Sequence, residues 1–222
     1  MRLSSLFNYH LTPEVEHGFS RHLTHGKWVP NGDLPEMNRP LWRGTPVGKF
    51  PADLILYHQV IYRNRPDWII ETGSAQGGSS LFYGDMCDLM GHGQVITIDR
   101  HVEDRPTHSR VRQFIGNSAH PVIVNAVTEL VRGCSVMVTL DSDHRESHVG
   151  KELSAYAPLV SDGQYLVVED SQDPRPGRAY HAVEMFLVNN PEWERVPVER
   201  QFLLCVTRLG WLRRKVQTRF GI

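Results

Sequence analysis

Five carboxylates close apolar runs of this sequence: Glu71 in WIIET, Asp99 in VITID, Asp141 in VMVTLD, and Glu169 with Asp170 in YLVVED. Runs of that kind read as buried strands of an open α/β sheet, where ligands bind beyond the carboxyl ends of the strands. The five side chains are therefore predicted to border one crevice. If the strands ending in Asp141 and in Glu169-Asp170 are neighbours, they lie about 4.8 Å apart and crowd like charges at one rim. Crowding raises a carboxyl pKa or destabilises the fold, and a hard dication with oxygen ligands relieves both. Asp141, Glu169 and Asp170 are accordingly predicted to ligate a metal, magnesium first and manganese as the alternative.

Such a metal would bind a substrate hydroxyl, lower its pKa and fix its oxygen for attack, which makes Asp141 a catalytic as well as a ligating residue. His144 stands three positions after Asp141 in LDSDH. With an ordinary pKa of about 6.5, it is the predicted general base. Asp143 competes for that role, and so does His148 if the segment is helical, since it would lie one turn beyond on the same face. Taken alone, DSDH reads as a helix-entry loop whose acids cap the next helix. Its coincidence with VVED gives it the chemical reading.

A second group lies in ETGSAQGGSS. Gly73, Gly77 and Gly78 let the backbone pass close to a ligand. The helix N-terminus near Ser79 offers free N–H groups to an anion such as the carboxylate of methionine. Asp99 follows Gly73 by 99 − 73 = 26 positions, near the roughly 20-residue distance at which an acid accepts from ribose hydroxyls. The string is not G-x-G-x-x-G, a fingerprint that a pyrophosphate-free cofactor does not need. S-adenosylmethionine is therefore favoured over a nicotinamide cofactor, and a nicotinamide-dependent oxidoreductase or hydroxylase component is the alternative. The blander account of the turn is that it only packs the first helix on the sheet.

The elements that must position these residues follow from periodicity. LILYHQVIYRN carries a helical apolar face and is closed by RPD before WIIET; Phe82, Met86, Leu89 and Met90 repeat at helical spacing after the glycine turn. QVITID, RQFIG, SVMVTLD and QYLVVED alternate with segments in which Val124, Val127 and Val131, then Leu153, Tyr156, Ala157 and Val160, recur at helical spacing. The fold class is α/β: a Rossmann-like doubly wound sheet, mostly parallel because the crossovers are right-handed. RQFLLCVT and WLRRKV, flanking Leu209-Gly210, are predicted to form an antiparallel C-terminal hairpin.

Residues 1–50 are rich in Pro, Gly, His and Trp without a sustained period and are predicted to be a loop-rich cap, a terminal arm or both, with residues 51–222 the Rossmann-like domain. His22 and His25 in HLTH are expected in surface or cap packing. Trp28, Trp42 and Tyr180 either line an aromatic substrate wall or anchor their loops.

With 222 residues, 40% of them hydrophobic, the chain suffices for one substantial core. The 24 basic and 25 acidic residues lack the basic excess that a nucleic-acid partner needs. No apolar stretch suits a signal peptide or a membrane span, so a soluble, cytoplasmic protein without a membrane partner is expected. Cys87, Cys134 and Cys205 show no metal-ligand spacing and read as reduced, buried residues.

The string WRGTPVGKFPADLILYHQVIYRNRPDWIIETGSAQGGSSLF, followed by VITID, LDSDH, YAPLVSDGQYLVVED and a final hydrophobic hairpin, resembles the cephalosporin hydroxylase and rhamnosyl O-methyltransferase family from about residue 42 to the end. The resemblance implies a Rossmann-like S-adenosylmethionine-dependent methyltransferase with its acidic metal ligands at Asp141, Glu169 and Asp170. It implies cofactor contacts by Glu71, Gly73, Ser74, Asp99, Ser118 and Asp141, and homo-oligomers built through N-terminal elements. Related macrolide-sugar O-methyltransferases use as base a histidine placed as His144 is. The implied reaction is O-methylation of a hydroxyl, that of a sugar or a similar group, on a small natural product. A non-catalytic protein of the same fold is a third reading, and the retained Asp141, His144, Glu169 and Asp170 argue against it.

Overall fold

A computed structural model describes residues 40–101, 105–171, 173–197, 207 and 209–215. The chain enters through a small hairpin, β1 (Leu41–Trp42) paired antiparallel with β2 (Thr45–Pro46). Its turn residues Arg43 and Gly44 both have positive φ, 52° and 82°, the conformation whose twist suits a two-residue hairpin loop. Helix α1 (Pro51–Asn64) begins with proline at its first position, where the missing N–H is no loss. It ends at Arg65, which is left-handed and donates its N–H to the Ile61 carbonyl, with Pro66 next to prevent continuation.

The central strand β3 (Trp68–Thr72) is buried at every position. Around the turn that follows it the chain enters α2 (Gly78–Leu89), then β4 (Gln94–Asp99), β5 (Val111–Ile115), α3 (Pro121–Leu130), β6 (Val136–Leu140), α4 (Glu146–Tyr156), β7 (Leu166–Val168), α5 (Ala179–Asn189), β8 (Trp193–Arg195) and β9 (Trp211–Arg214). Seven of these strands form one sheet in the order β5-β4-β3-β6-β7-β9-β8. β3 to β7 pair parallel, while β9 runs antiparallel to both β7 and β8.

Alternation along the strands sorts the core into two layers. Ile70, Ile96, Val138 and Val168 face α3, α4 and α5 through Val127, Leu153 and Val183. Ile69, Val95, Met137 and Val167 face α1 and α2 through Tyr57, Ile61 and Phe82. Both faces of the parallel strands are thus covered, which is why they read as continuous apolar runs.

The predicted doubly wound α/β architecture is found. Of the predicted C-terminal hairpin, WLRRKV supplies β9, whose described partners are β7 and β8; residues 201–206 of its other arm lie outside the described residues. Gly210 is required beside β7, because a Cβ there would stand 1.9 Å from the Val168 carbonyl oxygen. Residues 1–39, with His22, His25 and Trp28, also lie outside the described residues. No described helix is long and apolar enough to cross a membrane.

Chain direction switches at β3, which has β4 on one side and β6 on the other. A crevice for ligands is expected at the carboxyl ends of these strands.

Candidate active site

Gly73, just past β3, has φ +79°. Its N–H bonds the Ile98 carbonyl at 2.8 Å. A Cβ at this position would lie 2.2 Å from the Asp141 carbonyl oxygen and 2.5 Å from Ser142 Cα. Glycine here lets the turn after β3 and the end of β6 touch backbone to backbone.

The turn is clamped by Asp99, whose Oδ2 accepts from the N–H groups of Ser74 and Ala75, both at 3.0 Å. Its Oδ1 accepts from the His101 N–H at 3.0 Å and pairs with Arg105 Nη2 at 3.4 Å. Partial burial raises the Asp99 carboxyl, but the amides of His101 and Ala75, with Arg105, outweigh it and hold the group below the usual carboxylate range.

Above the turn opens a crevice of about 230 Å³ lined by Gly73, Ala75, Asp99, Gly116, Ser118 and His148, among others. Its lining, a glycine turn, a strand-end acid and the polar side chains of Ser118 and His148, suits a nucleoside. Ser74 does not line this crevice; its Oγ is buried within the turn without a hydrogen-bond partner among the described residues. Gly77 caps α2 with φ +89° and faces the Arg105 side chain.

Glu71 lies deeper than predicted, fully buried beneath the start of α2. Its Oε2 accepts from Ser80 Oγ at 2.7 Å and Thr97 Oγ1 at 2.8 Å. Burial raises its pKa against the pull of Lys49 and the surrounding hydroxyls.

The acidic cluster forms where β6 and β7 end side by side. The Glu169 N–H donates to the Leu140 carbonyl at 3.0 Å, so Asp141 and Glu169 follow paired positions. His144 stands between two carboxylates, with Nε2 3.3 Å from Asp141 Oδ1 and Nδ1 2.7 Å from Asp170 Oδ2. Burial pulls the imidazole down, but hydrogen bonds and charge from Asp141 and Asp170 outweigh it and raise its pKa well above the ordinary value. Asp170 adopts a left-handed backbone, φ 51°, the kind of strained conformation that surrounding structure sustains at functional sites.

Ligand atoms of Asp141, His144 and Asp170 all lie within 4.8 Å of one another. The two carboxylates at this spacing fit a small divalent cation with oxygen ligands, and His144 stands beside them. Glu169 is engaged elsewhere: its Oε1 accepts from Lys49 Nζ at 2.9 Å and from the Tyr57 hydroxyl at 2.5 Å. Lys49 also pairs with Asp141 Oδ2 at 2.8 Å. Burial, the larger effect, pushes the Glu169 carboxyl up to about 8, and Lys49 opposes it. The structure therefore gathers Asp141, Asp170 and His144, with Glu169 adjoining but turned toward Lys49 and Tyr57.

The competitors for the base role are committed elsewhere. Asp143 is held by the Arg145 guanidinium, which lowers its pKa to about 2. His148 lines the crevice beside the glycine turn, its Nε2 3.2 Å from Ser118 Oγ. Trp42 donates from Nε1 to Asp85 at 2.6 Å and packs edge-on against Phe82 at 5.0 Å, so it anchors the β1–β2 hairpin to α2. Tyr180 has Arg195 over its ring at 5.9 Å. A second group with close ligand atoms, Asp85, Asp88 and His108, is tied up by Trp42, Arg43 and Arg110.

Lys49, Tyr57 and Glu152 were not anticipated as site residues. Lys49 falls in the segment assigned to the cap, and its only local signal is a charge between Val47 and Phe50. Tyr57 sits on the apolar face of α1 and reads as core. Glu152 shares the buried stripe of α4 with Val149, Leu153 and Tyr156, and a carboxylate in such a stripe was a signal to follow.

A family model described as Rhamnosyl O-methyltransferase/CmcI matches residues 37–215. The rhamnosyl O-methyltransferase of Mycobacterium leprae is 29% identical over 194 residues, 80% of this chain and 84% of that protein. A solved structure of CmcI with Mg and SAM is similar with a TM-score of 0.63 and 23% identity, covering 85% of this chain and 83% of that one. MycE, a methyltransferase of the mycinamycin pathway solved with Mg, SAH and mycinamycin VI, has a TM-score of 0.54 and 19% identity over 75% of this chain and 49% of its own.

Proposed function

The chain belongs to the Rhamnosyl O-methyltransferase/CmcI family, and from that premise we propose that it transfers the methyl group of S-adenosylmethionine to a hydroxyl of a small natural product, that of a sugar or a similar group. The reading includes a divalent cation, magnesium or manganese, held by Asp141 and Asp170 with Glu169 adjoining. The observation that carries it is the backbone contact of Gly73 with Asp141. That contact sets the crevice directly against the acidic cluster.

In this reading the crevice along Gly73, Asp99 and Ser118 holds the donor, Ser74 contributes through its turn backbone, bonded to Asp99, and Gly77 shapes the turn that leads to it. Glu71 supports the turn from below through Ser80 and Thr97. In the transfer the carbon–sulfur bond breaks as a carbon–oxygen bond forms, the electron pair returns to sulfur, and the hydroxyl proton passes to His144 Nε2 or Nδ1. When bound, a divalent cation polarises the acceptor hydroxyl and supplies positive charge beside Asp141 and Asp170, replacing the compensation a proton on His144 otherwise provides. Lys49 and Tyr57 keep Glu169 and Asp141 in fixed rotamers, and holding the site in place before substrate arrives lowers the cost of ordering it.

The relatives named as rhamnosyl O-methyltransferases, and CmcI and MycE with their magnesium and SAM or SAH, support this reading. The nicotinamide-dependent alternative finds no such support. The same reading includes an N-terminal arm of about 50 residues, a homo-oligomer and a cytoplasmic location. It includes neither nucleic acid nor membrane as a partner.

To test it, purified protein is incubated with methyl-labelled S-adenosylmethionine and a panel of glycosides, with EDTA or with added Mg²⁺. Label should pass to an acceptor, stop with EDTA and return with Mg²⁺. Transfer indifferent to EDTA removes the metal, and failure to bind S-adenosylhomocysteine removes the donor assignment.

A further inference from the structure

We propose that Glu152 is a positioning residue that makes Ser118 an acceptor-only group, and thereby selects a nucleoside with an amino rather than an oxo group at purine C6. The inference rests on the S-adenosylmethionine reading and adds to it a residue outside the crevice lining.

Glu152 is fully buried on the inner face of α4. Its Oε1 accepts from Ser118 Oγ at 2.5 Å and from Ser142 Oγ at 2.7 Å. Its Oε2 is buried with no partner among the described residues. The two serines come from different strands' ends, Ser118 beyond β5 and Ser142 beyond β6, and both line the crevice. One carboxylate therefore ties together two walls of the site. The Ser118 carbonyl is held as well, accepting from the Tyr156 hydroxyl at 2.7 Å.

Hydrogen-bond polarity follows from this arrangement. A carboxylate has no proton to give, so each serine must spend its single O–H on Glu152. His148 Nε2 lies 3.2 Å from Ser118 Oγ, where its N–H can fill one of the two lone pairs. The remaining lone pair of Ser118 is the group presented to the crevice, and it can only accept.

The position of Ser118 sets what meets it. The ends of β3, β4 and β5 follow one another along the sheet, so the crevice lining passes from the Gly73 turn to Asp99, where ribose hydroxyls are expected, and on to Gly116, with Ser118 at the wall beyond β5. A base at that wall can satisfy Ser118 through an exocyclic amine. A C6 carbonyl would set oxygen against oxygen and leave a buried acceptor unpaired, which is a costly arrangement.

The test is calorimetric titration of S-adenosylhomocysteine and its deaminated analogue S-inosylhomocysteine into the whole protein and into Glu152→Gln, alongside thermal melting. The parent should prefer the adenosyl compound by at least about tenfold. The glutamine side chain can donate to one serine and free its O–H to point into the crevice, so the preference should fall to less than about threefold while the melting transition is kept. An undiminished preference in Glu152→Gln, or equal binding of both compounds by the parent, overturns the assignment. If neither compound binds the parent, the donor reading itself fails, and the two failures are thereby distinct. Should Glu152→Gln not fold, Ser118→Ala decides: loss of the preference supports the role, and its retention overturns it.

Discussion

Lys49 Nζ lies 2.8 Å from Asp141 Oδ2, joining the lead-in to α1 with the carboxyl end of β6. The same ammonium stands 2.9 Å from Glu169 Oε1 and is almost wholly buried. Three ionisable groups are thus folded into a single polar knot at the base of the acidic cluster. It lets two acids approach each other in the absence of a cation.

Removing that ammonium should expose the repulsion it offsets. Among the described residues, Lys49→Met leaves the buried Glu169 with only the Tyr57 hydroxyl and the half-buried Asp141 with only His144, and breaking a buried pair from one side costs about 3–5 kcal/mol. Chemical denaturation of the metal-free protein should show a loss of this order, and Mg²⁺ should narrow the gap between variant and parent because ligand binding stabilises the folded state. Equal stability of the two proteins would assign the charge compensation elsewhere.

The Tyr57 hydroxyl bridges Thr139 Oγ1 at 2.9 Å and Glu169 Oε1 at 2.5 Å. Tyr57→Phe keeps the ring packing against Trp211 and Tyr83 and removes only those bonds. A stability loss of about 1–3 kcal/mol is expected, with S-adenosylhomocysteine affinity unchanged. Calorimetry that found the affinity lost instead would connect Tyr57 to the crevice.

His144 titrates above its ordinary value because it is clamped by Asp141 and Asp170. The folded protein therefore binds a proton there that the unfolded chain has already lost above about pH 6.5. This contribution to metal-free stability is complete below that pH and is lost as pH rises through the elevated folded value. A cation at Asp141 and Asp170 competes with the proton, so its binding near neutral pH should release protons. Titrations in buffers of different ionisation enthalpy measure this, and His144→Ala should release fewer; equal release would place the exchanged proton on another group.

Separating the roles of two neighbours gives a sharper contrast. Asp141→Asn should weaken cation binding, while His144→Ala should lower turnover by about 100- to 10,000-fold with the donor still bound. Single-turnover assays beside S-adenosylhomocysteine titrations resolve the two effects. A fully active His144→Ala protein would pass the base role to another residue.

Gly73→Ala combines a strained φ of +79° with a Cβ 2.2 Å from the Asp141 oxygen. Backbone strain alone costs about 1–3 kcal/mol. The clash also pushes the glycine turn off the end of β6. Both melting temperature and S-adenosylhomocysteine affinity should fall, and an alanine variant with parental affinity would mean that the crevice does not depend on this contact.

Local pattern was enough for the sheet, because a strand buried on both faces must be apolar throughout, and WIIET, VITID and VMVTL are. The same pattern located Asp99, Asp141, Glu169 and Asp170, since an acid directly after such a run must emerge at the strand end. The glycine turn was expected where the backbone passes close to a ligand, whereas the close approach at Gly73 is to the backbone of Asp141 and that at Gly78 to the backbone of Pro46. Which way each acid turns was not encoded locally. Glu169 and Asp170 are adjacent in the chain, yet one meets Lys49 and Tyr57 while the other meets His144. Those partners come from as far as 120 positions away, and only packing of α1 against the sheet brings them in. Asp99 lines the crevice, but its occupation by the amides of Ser74, Ala75 and His101 is a property of the closed turn. Sequence determined where charge emerges from the sheet; the tertiary fold decided which charges face each other, because that depends on segments whose separation along the chain carries no local signal.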